Sequence, residues 1–138
     1  MQSTGRTGSA SKKIWAGRIL SGLAVLFLLF DSVIKLMTIG PVVESFTQLG
    51  YPVSLSVGIG LLELVCVAVY LIPRTAMVGA VLLTGYLGGA VATHVRVSSP
   101  LFSHVLFPTY VAALIWAGLY LRDSRLRPLV AEPATTTE

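Results

Sequence analysis

Residues 19–36 read ILSGLAVLFLLFDSVIKL, an apolar run from Ile19 to Phe30 followed by an aspartate and a lysine set four positions apart. With its flanks, from Trp15 to Thr38, the segment has the length of a helix that crosses a hydrocarbon core about 30 Å thick at about 1.5 Å per residue. A segment of this kind belongs in lipid, so its charges need a reason. Asp31 and Lys35 share one face of a helix, and a charge inside a bilayer is costly unless it is paired or turned to a wet interior. Two readings stand: a local ion pair with Lys35 reaching up to the interface, or one wall of a polar pocket between helices.

The whole chain points the same way. Of its 138 residues 54% are hydrophobic and 12% charged, and the mean hydropathy is +0.82, which is outside the range of soluble domains. This composition is that of an integral membrane protein with room for one domain. The net charge of +4 does not imply nucleic acid, because the ten Lys and Arg lie scattered at segment ends and build no continuous basic face. The single cysteine, Cys66, sits in an apolar segment and excludes both an internal disulfide and a C-x-x-C redox pair. Lys12, Lys13 and Arg18 precede the first run as they would in a secretion signal, but no small-x-small cleavage site follows, so the run reads as a retained span.

Four apolar segments, near 15–38, 53–72, 75–95 and 103–121, are each of spanning length. Because backbone polar groups in lipid need internal partners, helices are the expected form. The expected fold is all-α, a polytopic four-helix transmembrane bundle over residues 15–127. Residues 1–14 and 128–138, rich in Ser, Thr, Gly, Ala and Pro, are expected to be flexible cytoplasmic tails. Proline and glycine punctuate the connections, and the longest, IGPVVESFTQLGYP, has an interior that reads as a short amphipathic surface helix. With the N-terminus inside, Arg6, Lys12, Lys13, Arg18, Arg74, Arg122, Arg125 and Arg127 fall on the inner side and only Lys35 and Arg96 on the outer. That bias places both termini in the cytoplasm and the protein in the cell's inner (plasma) membrane.

Helices in lipid associate through small residues that let backbones approach. Gly85 and Gly89, in G-x-x-x-G spacing on the third span, are the expected contact face, with Gly58 and Gly60 on the second opposing it. Trp15, Tyr110, Trp116 and Tyr120 read as interface anchors or packing residues.

Placed on a common depth scale, the remaining polar residues gather. Counted from Trp15, Asp31 lies about 24 Å and Lys35 about 30 Å along the first helix, while Glu63 lies about 15 Å into the second. His94 and Arg96 close the third span on the outer side, His104 opens the fourth there, and Tyr86 lies beneath them with Glu63. An outward-opening pocket floored by Glu63 accounts for all of them, as does a purely structural network. At the midplane Glu63 cannot reach the interface, so it is protonated, paired or wet. His94 and His104, separated by a loop, make a poor metal or haem ligand pair, and no metal site is expected.

A lysine ending the first helix, LGYP before the second, LLELVCVAVYLIPR with its central Glu63, GYLGGAVATHVRV with His94 and Arg96, and WAGLYLRD closing the fourth, in this order, resemble the DoxX-like family of small bacterial membrane proteins. The resemblance covers residues from about 15 to 127. It implies a four-helix membrane protein and an association of some relatives with membrane redox complexes such as a thiosulfate:quinone oxidoreductase, and it does not establish an enzyme. Lys35, Glu63, His94 and Arg96 match the family's polar pattern, while Asp31 departs from it. No catalytic motif or redox centre is visible in the chain. The leading expectation is a quinone-like small molecule bound by Lys35, Glu63, Tyr86, His94 and Arg96, with Asp31 and His104 as accessories, in a protein that serves a membrane redox partner. The alternatives are a structural or assembly subunit, homo-oligomeric or partnered through its glycine face, and a small oligomeric transporter.

Overall fold

A computed structural model of the chain describes residues 4–131. The described residues are helices and connections: α1 (Thr4–Met37), α2 (Gly40–Gln48), α3 (Leu55–Leu71), α4 (Ala76–Arg96), a π-helical turn (Leu101–Val105), α5 (Phe107–Arg122) and the single turn α6 (Arg127–Val130). Three segments are long and apolar enough to cross a membrane, Thr7–Met37, Ala76–Arg96 and Leu101–Arg122. The fourth expected span, α3, is apolar but has 17 residues, about 25 Å at 1.5 Å per residue.

The helix boundaries follow local chemistry. α1 stops at Thr38, which takes a left-handed φ of +49°, and Pro41 opens α2 in the first turn, where a missing N–H costs nothing. Gly50, at φ +72°, turns the chain out of α2, a conformation open to glycine at no steric cost. Ile72 is extended because Pro73 follows it. The start of α1 differs from the expected tail: residues 4–14 continue the helix, since extending a helix already nucleated by the span avoids the cost of starting one. Residues 1–3 and 132–138, the ends of the two expected tails, lie outside the described residues.

α1 packs on α3 and α5, and α4 packs on the same two, so the four longer helices close a ring. The outside is apolar as well as the core. Leu23, Leu26, Phe30, Leu61, Val65, Val78 and Val81 are exposed on the outside, while Ser21, Ser32, Ser56 and Glu63 are buried with Ala24, Leu28, Val67, Tyr70, Leu83, Ile115 and Leu119. Such an outside suits lipid, where apolar surface carries no penalty.

Close backbone approach holds the ring at Gly60, one of the glycines expected to make contact, and otherwise at glycines outside the G-x-x-x-G pair. A Cβ on Gly118 would lie 2.7 Å from the Ser21 nitrogen, and one on Gly17 would lie 2.7 Å from the Gly118 carbonyl, so α1 and α5 cross with nothing between them. Gly60 meets α1 and Gly79 meets Tyr70 in the same way. At Gly58, Gly85 and Gly89 a Cβ would have nothing within 4 Å. Among the described residues the G-x-x-x-G pair thus makes no close contact, because spacing names a helical face without saying what that face meets.

Candidate functional site

Lys35, one turn from the end of α1, points into the ring. Its ammonium donates to Asp31 on the same helix, to Glu63 Oε2 of α3 at 2.9 Å and to the Tyr86 hydroxyl of α4 at 2.7 Å. Tyr86 in turn donates to the same Glu63 oxygen at 2.9 Å. One cation therefore serves two carboxylates drawn from two helices. Glu63 is fully buried, and its second oxygen, Oε1, has no hydrogen-bond partner among the described residues. A buried acceptor left unmet is costly, more so when it carries charge.

Glu63, Lys35, Asp31 and Tyr86 line a cavity of about 560 Å³, a volume typical of small-molecule sites. Its walls are mostly apolar, from Phe27, Leu28, Ile59, Leu62, Phe107 and Val111, and Phe46 of α2 and Leu49 just after it line it as well. Phe27, Leu62 and Phe107 are also exposed on the outer surface. Gly85 and Gly89 line the cavity and are exposed as well, so the missing side chains of α4 are part of its space.

The sequence profile of the DoxX-like family matches residues 19–118. The chain belongs to the DoxX-like family. Among curated proteins and among solved structures, nothing matches it. The matched region holds every residue of the cluster and the cavity wall.

In this DoxX-like chain the remaining candidates separate. His94 and His104 line the same cavity at its far rim, and their rings pack edge to face with centroids 5.7 Å apart. Each ring is engaged through Nδ1, His94 with Ser99 at 3.1 Å and His104 with Ser103 at 2.7 Å. A smaller cavity of about 290 Å³ adjoins them between α2 and the α4–α5 connection. Arg96 does not enter the cluster. Its guanidinium donates to the Leu49 carbonyl and lies 5.6 Å from the centre of the Tyr51 ring, and the Tyr51 hydroxyl is 3.2 Å from that of Thr93. Arg96 fastens the end of α2 to α4. Trp116, expected as an anchor, donates to Thr84 at 2.8 Å across α4 and α5.

A second polar cluster went unnoticed in the DoxX-like sequence. Tyr70 donates to the Ile115 carbonyl at 3.0 Å, so the Ser21 hydroxyl, 2.9 Å away, must donate to the Tyr70 oxygen. Ser21 accepts in turn from Arg122 Nε at 3.1 Å, and the guanidinium stands 5.1 Å from the centre of the Tyr70 ring. The signal was a serine and a tyrosine at matching depth on two spans, with an arginine ending a third.

Proposed function

We propose that this DoxX-like protein is a four-helix transmembrane bundle, with α3 as its short fourth span, that binds a quinone-like amphiphile in the cavity floored by Glu63 and serves a membrane redox partner. Seventeen residues lie at the lower end of what crosses a bilayer. The distribution of cations supports termini in the cytoplasm of an inner membrane and a cavity opening to the outer side. Cysteine labelling at positions flanking α3 tests the topology: labels reaching both flanks from one side overturn the fourth span.

One observation carries the ligand reading. Glu63 is fully buried on the wall of the cavity with one oxygen that no described residue meets. The Lys35, Tyr86 and Glu63 cluster on that wall gives a bound molecule a polar end to orient on. The mixed lining fits an amphiphile: a polar floor orients a head group, and apolar walls reaching the exposed Phe27, Leu62 and Phe107 let a tail lie toward lipid. The electrons of any redox step belong to the partner or to the bound molecule, and the residues here bind, orient and hold hydrogen-bonded protons.

Native mass spectrometry on protein released gently from its own membrane tests this. Wild type is expected to carry a small amphiphile that a folded Glu63→Leu variant loses. A wild-type chain that carries none, together with a stable oligomer or partner unaffected by the substitution, overturns the reading in favour of an assembly subunit.

A further inference from the structure

α2 differs from the four longer helices in how it is held. It joins none of the closely packed helix pairs, and side chains attach it instead, with Val42 and Phe46 buried. One exposed cation fastens its C-terminal end: Arg96 donates to the Leu49 carbonyl and lies 5.6 Å from the centre of the Tyr51 ring, and the Tyr51 hydroxyl is 3.2 Å from that of Thr93. The chain enters and leaves α2 through residues of left-handed φ, Thr38 at +49° and Gly50 at +72°. Glycine takes that conformation freely, whereas a β-branched threonine takes it under strain, and strained residues of this kind gather at switch regions. α2 also lies between two cavities. Ser45, Leu49, His94 and His104 line both the cavity of about 560 Å³ and the smaller one of about 290 Å³, so these side chains part the two. The smaller cavity is lined by Glu44, Gln48 and Ser99 as well, a wall suited to water.

We propose that α2 is a gate latched by Arg96: closed, it parts the larger cavity from water in the smaller one, and swinging on Thr38 and Gly50 it joins the two. The gate follows from the placement of α2 between the cavities and holds for any guest, so it goes beyond the ligand reading above. The latch suits a moving part. A charged hydrogen bond at an exposed site competes with water and adds only modest stability, so Arg96 biases α2 toward the closed position without fixing it there. Removing the guanidinium frees the Leu49 carbonyl and the Tyr51 ring together, and the open population rises roughly tenfold.

The test uses the full chain in lipid nanodiscs, which leave both faces in water, with Cys66→Ala as the background. Val111 is buried and lines the larger cavity, and in Val111→Cys its reaction with a trimethylammonium methanethiosulfonate is followed by intact mass. The fixed charge of the reagent keeps it out of lipid. Labelling is expected to be slow with Arg96 in place, roughly tenfold faster in Arg96→Ala, and raised by less in Tyr51→Leu. Ile115→Cys reports on a buried position one turn further along α5 that is not on that wall, and it is expected to stay unreactive throughout. Labelling of Val111→Cys that is already fast with Arg96 in place, or that neither substitution changes, overturns the gate. An equal rise at Ile115→Cys also overturns it, by assigning the effect to a loosening of the whole ring. Tyr51→Leu decides the matter where Arg96→Ala does not fold, and no outcome bears on the ligand reading, because no guest is measured.

Discussion

Near the α3–α4 turn, Ser21, Tyr70 and Arg122 close on one another with the Ser21 and Tyr70 hydrogens both committed, whereas in the α2 half Lys35, Tyr86 and Glu63 leave one carboxylate oxygen unmet. Both clusters join helices inside the same ring. The first sits where Gly17 and Gly118 bring α1 and α5 into backbone contact, with no room for a guest. The second sits where α4 presents bare glycines to a cavity. The two networks thus differ in whether their bonds close on themselves and in whether space adjoins them.

Removing the shared cation tests this contrast most severely. Lys35→Met strands Glu63 and Asp31, and loss of one partner of a buried pair costs about 3–5 kcal/mol, read as a fall in the unfolding temperature in detergent. The double variant with Glu63→Gln is expected to recover much of that loss. A single variant as stable as wild type would show that the open cluster holds nothing together. Next comes Gly118→Val, whose added carbons meet the Ser21 backbone. Forcing them in costs about 3 kcal/mol, while the same change at Gly85, where space is open, is expected to be tolerated; equal losses would erase the distinction between the two halves. Tyr70→Phe takes one donor from the closed cluster, about 1 kcal/mol, and leaves amphiphile binding unchanged. Altered binding would mean that the two clusters communicate.

The smallest effect lies beyond both. Arg125 donates to Asp123 at 2.8 Å and to the Pro73 carbonyl at 2.7 Å, tying the end of α5 to the α3–α4 turn, and its hydrogen bonds hold the Asp123 carboxyl below the usual aspartate range. A lowered folded pKa means that the stabilisation is present above the ordinary aspartate value and disappears as the pH falls through the lowered one. The slight loss of stability in Asp123→Asn is therefore expected at neutral pH and absent in strong acid, as read by unfolding at the two conditions. A loss that persists in acid would assign the effect to packing.

Much of this was legible in the sequence. Hydropathy and punctuation by proline and glycine place the helix ends within a few residues except at the start of α1, because lipid leaves the backbone few other choices. Depth counting sets Glu63 and Tyr86 beneath Asp31 and Lys35 as the floor of one pocket, and the structure has the four bonded. What depth does not carry is azimuth. Arg96 shares a level with the histidines yet turns to the Leu49 carbonyl, and Gly85 and Gly89 have the right spacing on a face that meets no helix of this chain. Ser21 and Tyr70 stand uncharged in apolar runs with no charged residue at their level on the same helix, so nothing in either run alone sets them apart from packing residues.

The bare face of α4 separates two properties that one residue often sets together. Glu63 belongs to the polar floor of the cavity, whereas the width beside α4 is set by what Gly85 and Gly89 lack. A Cβ at either would touch no neighbour, so bulk can be added there without disturbing a polar contact. The calibre of the chamber is therefore adjustable apart from its polar floor.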